Sequence, residues 1–263
     1  MIATMLAENT ACRDNLHAEH GLSLYLETGE SKVLFDMGQS DAFVANARSL
    51  NVNLAAIDFA VLSHGHYDHG GGLRAFFTAN DHAPVYVSRH AFEKHGNTSG
   101  RDIGLDPALS SHPRLIFTDD YQKISNGLEL FSCNTCQPLF PVKTFGLTMS
   151  IGDHMLPEDF RHEQYLLIQE NARRILISGC SHKNVLNLVE WFQPDVLIGG
   201  FHLMNLDPQG QARQSLDEVA YQLLSHPAVY YTCHCTGVEQ YQYLKSIMKE
   251  KLHYLPGGQT ITL

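Results

Sequence analysis

Residues 61–73 read VLSHGHYDHGGGL, which puts His64, His66, Asp68 and His69 within six positions. Imidazole and carboxylate are the ligand types of zinc, iron and manganese, and histidines at i and i+2 can face one ion. Asp68 and His69 then point elsewhere, toward a second ion beside the first. Gly65 and Gly70–Gly72 allow tight turns and close backbone approach there. Four ligand types at this spacing are not expected of an ordinary polar loop.

Further donors lie downstream. His202 in GGFHL ends an apolar run and reads as a ligand, as a proton donor contacting substrate, or as a core histidine. In TCHC, strand alternation sends His234 one way and Cys233 and Cys235 the other, so His234 is assigned to metal and the cysteines to packing. His17 and His20 could reach the site in three dimensions. The pair Cys133 and Cys136 has redox or zinc-knuckle spacing, but with no second pair it reads as loop.

Strands and helices must hold these groups. Apolar, β-rich runs recur as SLYLET, KVLFDMG, FAVLSHG, PVYVS, LELFSC, YLLIQE, RILISGC, DVLIGGF, AVYYTCH and QTITL. Helical patterns fall in SDAFVANARSL, with Ser40 or Asp41 as N-cap, and in KNVLNLVEWF, QSLDEVAYQLL and VEQYQYLKSIMKE. The run Phe59–Leu62 reads as a buried strand, so the histidine cluster would sit on the loop at its end, where active sites concentrate. Strands early and strand–helix alternation late suggest sheets packed face to face with helices outside. Residues 89–160 are rich in Gly, Pro, Ser and Asp and poor in periodicity, which predicts a loop-rich lid or insertion within a single domain spanning 1–263.

A chain of 263 residues with 44% hydrophobic content can fill a substantial core. Its formal net charge of −10 argues against nucleic-acid or anionic-membrane partners. Two divalent cations would locally reverse that sign, which leaves room for an anionic small-molecule substrate. No apolar run approaches the roughly 20 residues of a membrane span, no signal peptide is legible, and six cysteines read as reduced thiols, so a cytoplasmic location is expected.

The run His64-x-His66-x-Asp68-His69 resembles the signature of the metallo-β-lactamase superfamily. LFDMG (34–38), ILISGC (175–180) and YYTCHCTG (230–237) resemble its neighbouring strands and last metal motif. The resemblance covers nearly the whole chain and implies a four-layer αββα sandwich with a dinuclear metal site at one sheet edge. AEHGLS, SGCSH, GGFHL and HCTG are similar to the 7,8-dihydropterin-6-methyl-4-(β-D-ribofuranosyl)aminobenzene-5′-phosphate synthase-like branch. The bridging aspartate of the superfamily falls at Cys180, which is read as a softer ligand or as a small buried hydrophobe. His182 follows as a substitute donor. The superfamily's middle histidine maps to His162, with Glu163 beside it as ligand or base, against a surface or lid position for His162.

The implied chemistry is hydrolysis of a small ester, phosphoester or related bond by a hydroxide held between two cations, zinc with iron or manganese as alternatives. Asp68 would hold the second ion and orient that hydroxide, and His202 or His162 would protonate the leaving group. A pterin/ribosyl-phosphate condensing enzyme and a non-catalytic metal- or ligand-binding module are the alternatives. A serine hydrolase built on Ser181 lacks the final glycine of its elbow motif, because Lys183 stands there.

Overall fold

The computed structural model describes residues 1–152 and 154–263. Its first sheet contains β1 (Ile2–Ala7), β2 (Ser23–Glu27), β3 (Lys32–Phe35), β4 (Phe59–Val61), β5 (Val85–Ser88), β7 (Leu115–Thr118) and β17 (Thr260–Thr262), in the order β17-β1-β2-β3-β4-β5-β7. The second contains β8 (Tyr121–Ser125), β9 (Leu128–Phe131), β12 (Tyr165–Glu170), β13 (Arg173–Ile177), β14 (Val196–Gly199), β15 (Val229–Thr232) and β16 (Leu252–Tyr254), in the order β16-β15-β14-β13-β12-β9-β8. Strands β3, β4, β5 and β7 run parallel in the first sheet, and β13 to β16 in the second.

Side-chain alternation makes the layers. Val33, Phe35, Ile175, Ile177, Val196 and Ile198 meet between the sheets, while Leu34, Leu176 and Leu197 point outward. Helices α1 (Ala42–Ser49) and α3 (Leu73–Ala79) cover the first sheet, whereas α4 (Val185–Phe192), α5 (Arg213–Leu224) and α6 (Val238–Met248) cover the second. The short α2 (Tyr67–Gly70) carries part of the histidine motif. Four layers result, as αββα. At α1, Asp41 holds the N-cap position without a side-chain cap, and Ser40 Oγ accepts the Ala42 N–H at 3.1 Å.

Residues 89–160 depart from the expected lid. They supply β7 to the first sheet and β8 and β9 to the second, while β6 (His95–Asn97), β10 (Leu147–Ile151) and β11 (His154–Pro157) make a small third sheet. Several of these strands are short, and Ile116 and Phe117 of β7 are exposed, so no alternation marks them. The loop 132–146 lies against α4, where Asn187 accepts the Leu139 and Phe140 N–H groups.

Candidate metal centre

The parallel strands β3, β4, β13, β14 and β15 all end at one edge, where ligands of α/β sheets commonly bind. Asp36 follows β3, Ser63–His69 follow β4, Ser178–Lys183 follow β13, Gly200–Leu203 follow β14 and Cys233–Thr236 follow β15. These turns pack too closely for side chains at certain positions. A Cβ on Gly65 would overlap the Ala91 carbonyl, and one on Gly179 would overlap Ser63 Oγ.

Two donor groups result. His69 Nε2 lies 3.1 Å from His234 Nε2, 3.2 Å from Cys180 Sγ and 3.7 Å from Asp68 Oδ2, and Asp68 Oδ2 lies 3.2 Å from His234 Nε2. Beside it, His64, His66 and His182 converge, with His64 Nε2 3.3 Å from His182 Nε2. Zn–N bonds of 2.0–2.1 Å in a tetrahedron imply ligand separations of about 3.3 Å. The observed spacings match that value.

Tautomers make the case independently. The carboxylate of Asp36 accepts the His69 Nδ1–H at 2.7 Å, and the Asn9 side-chain carbonyl accepts the His234 Nδ1–H at 2.8 Å. With both rings neutral, the two Nε2 lone pairs face each other at 3.1 Å, an arrangement that a bound cation, or a proton on His69, relieves. Ser63 Oγ gives its hydrogen to Asp36 and accepts from His64 Nδ1, which turns the His64 Nε2 lone pair inward as well. His66 Nε2 and His182 Nδ1 are buried without hydrogen-bond partners. The donor set fits divalent metal.

Charge states agree with this reading. Burial pushes the pKa values of His64 and His182 far down, reinforced by neighbouring imidazoles, and that of His66 down to about 3. These rings are neutral and can ligate. Burial also opposes charge on His69, but Asp36 and Asp68 outweigh it and hold its pKa up. At Asp68 burial is likewise outweighed, by His69, His20 and His234, so its carboxyl is held well below the usual range.

Several residues sit elsewhere than expected. His182, not His162, faces His64. His162 is fully buried behind the His66 ring, 5.0 Å between centroids, and its Nδ1 accepts the Gly65 N–H at 2.8 Å. It belongs to a neighbouring group in which His95 Nδ1–H donates to Glu158 Oε2 at 2.7 Å and stacks on His162 at 4.0 Å. His66, His95, Glu158 and His162 thus form a further group of possible metal ligands, separate from the one in which His182 faces His64. Glu163 accepts the His182 and Lys183 N–H groups and the Tyr165 hydroxyl, thereby fixing the His182 turn.

Cys235 corrects the packing assignment. Residues 234–236 form a 3-10 turn with His234 at φ +49°, so alternation stops and Cys235 joins Cys180 and His234 in one donor group. Cys233 stays in the core between the sheets. His20 reaches the centre, with Nε2 3.3 Å from Asp68 Oδ2, whereas His17 is exposed and tied by its backbone to Asn46. Ser181 Oγ is hydrogen-bonded to Ser178 Oγ, not to an imidazole. Cys133 and Cys136 share a turn packed on the outer core.

Supporting residues were not legible as such. Asp36 lies in an ordinary strand end, and Glu8, which accepts the His234 N–H at 2.6 Å and the Tyr254 hydroxyl at 2.7 Å, lies at the end of β1. Replacing Asp36 by Ala strips partners from His69 and Ser63 together. Zinc affinity should fall about 10–100-fold, and the metal-free protein should lose about 3–5 kcal/mol. Chelator-competition titration and denaturant unfolding measure the two effects.

The sequence profile described as the metallo-beta-lactamase superfamily matches residues 18–234, and the chain belongs to that superfamily. An uncharacterized protein of Methanocaldococcus jannaschii is 28% identical over 244 residues, covering 89% of this chain and 90% of the relative. The 7,8-dihydropterin-6-methyl-4-(beta-D-ribofuranosyl)-aminobenzene-5′-phosphate synthase of the same organism is 23% identical over 288 residues, covering 99% and 95%. Among solved structures, Tm1679, a metal-dependent hydrolase of the β-lactamase superfamily, superposes with a TM-score of 0.84 at 23% identity, covering 100% of this chain and 99% of that one. Among the described residues, no helix is long and apolar enough to cross a membrane.

Proposed function

We propose that this protein is a metal-dependent hydrolase of a small ester, phosphoester or related substrate, with two divalent cations, zinc first and iron or manganese next. The observation that carries the reading is the pair of donor groups at tetrahedral spacing, with lone pairs turned inward by Asp36, Ser63 and Asn9. His64, His66 and His182 would hold one cation. Asp68, His69 and His234 would hold the other, and Cys180 lies between the groups and completes a mixed nitrogen, oxygen and sulfur set.

When bound, such cations polarise a carbonyl or phosphoryl oxygen and lower the pKa of water to near 7. The remaining work falls to the chain. Asp68 keeps its carboxylate charged and aligned between His20, His69 and His234. His202 has both ring nitrogens unpartnered and stands 4.3 Å, ring to ring, from His182. It is placed to contact substrate and to give a proton to the leaving group, a role suited to imidazole near neutral pH.

The test is removal and restoration of metal. Chelation should abolish hydrolysis across a panel of phosphoesters, lactones and thioesters, and added zinc, iron or manganese should restore it. Cobalt-substituted protein should show a thiolate-to-metal absorption band that Cys180→Ser weakens and that Cys180→Ser with Cys235→Ser removes. Turnover that survives complete metal removal would sink the reading.

A further inference from the structure

Beyond His182 and His202, on the side away from the histidine motif, lies a cavity of about 300 Å³. Phe140 and Phe145 come from the loop 132–146, Leu186 from α4, Leu203 and Leu206 from the segment after β14, and Val219 from α5. His182 and His202 line it too, so it opens directly onto the metal centre. Its charged lining residues are Lys143 and Glu218, both exposed and opposite in sign.

That lining decides what can enter. A phosphate or carboxylate drawn in would lose its water with the exposed Lys143 as the one lysine or arginine to meet it. An apolar group gains from the same burial. The mouth is also held in a costly conformation. Phe145 at φ +50° and His202 at φ +52° both occupy the left-handed region, with their rings 5.4 Å apart. Non-glycine residues seldom adopt it, and such strain tends to persist at ligand clamps.

We propose that this cavity receives an uncharged, apolar acyl arm of the substrate, with Phe145 and His202 clamping it at the mouth. The proposal rests on the hydrolase reading and names its substrate class: an ester or thioester of a medium-length alkyl or aryl acid. In the reaction the oxygen of water joins the acyl carbon, the bond to the leaving oxygen or sulfur breaks, and the leaving group takes a proton. A ribosyl phosphate would find one lysine among mostly apolar walls, and its affinity relative to an amide separates this reading from the condensing synthase.

The experiment uses metal-loaded protein and p-nitrophenyl esters from acetate to octanoate. kcat/KM should climb by up to about fourfold per methylene, the equivalent of about 0.8 kcal/mol, until the cavity is full. Val219→Trp should collapse the octanoate-to-acetate ratio. In parallel, calorimetric titration with butanamide, hexanamide and octanamide should show Kd tightening with length in wild type and not in Val219→Trp. Ester hydrolysis with no length dependence, together with length-independent amide binding, would overturn the acyl site and leave the hydrolase reading standing. No hydrolysis of any ester, with length-dependent amide binding, would do the reverse. Ribose 5-phosphate binding more tightly than octanamide, and losing affinity in Lys143→Ala, would also overturn the proposal.

Discussion

Asp68→Ala should carry about one metal equivalent where the wild type carries about two, and should lose more than about 100-fold in kcat/KM. Oδ2 of Asp68 sits 3.2 Å from His234 Nε2 and 3.7 Å from His69 Nε2, and it supplies the carboxylate of that donor group. Removing it leaves two imidazoles and the Cys180 thiol. Losing a partner that only orients a ligand costs about 10–100-fold in affinity or activity, so losing the ligand itself should exceed that range. The group of His64, His66 and His182 does not include Asp68 and should keep its ion. Elemental analysis of protein purified without chelators reads the first effect, and steady-state kinetics the second. An unchanged metal content would show that Asp68 holds no ion.

Acid should unfold the metal-free protein. His64, His66 and His182 are buried neutral at the centre, and His162 behind it, each with its pKa lowered chiefly by burial. In the unfolded chain they regain a pKa near 6.5. Below that value the unfolded state binds protons that the folded state refuses, so stability falls as pH falls. The window runs from about 6.5 downward, and for His66 it reaches its folded value of about 3. Each such histidine contributes about 1.4 kcal/mol per pH unit. His69 runs the other way: its raised pKa adds stability that is fully present below 6.5 and is lost as pH climbs through the folded value. It offsets part of the loss. Against a typical total of about 5–15 kcal/mol, the net slope should unfold the chelated protein within a few pH units below neutrality. Denaturant midpoints measured at intervals from pH 8 to pH 4 check this, and a flat profile between pH 6.5 and 5 would contradict it. Bound metal should delay the transition, because ligation keeps the same rings deprotonated.

Much of this was legible in one dimension because its causes are local. The continuous apolar runs ILI (175–177) and VLI (196–198) mark strands buried on both faces, and Asn184 accepts the Leu186 N–H at the start of α4, as a helix start requires. His64, His66, Asp68 and His69 are close in space because they share one turn between β4 and α2, and six residues of chain cannot scatter far. Membership of the superfamily followed from that same turn. The rest depended on strands distant in sequence meeting at one edge. His182 faces His64 across 118 positions, and the fold chooses it over His162 by turning the β13 loop inward on the Glu163 carboxylate. The positions of Asp36, Glu8 and Asn9 carry no local signature, since a hydrogen bond to a distant imidazole leaves no periodicity. Cys235 joined the donors only because a 3-10 turn ended the alternation that the residue pattern implied. The apolar cavity is assembled from four segments, none of which is a pocket alone. Ligand chemistry is a property of residue types and short spacings. Which ligands share an ion, and what substrate reaches it, is set by how the two sheets bring their strand ends together.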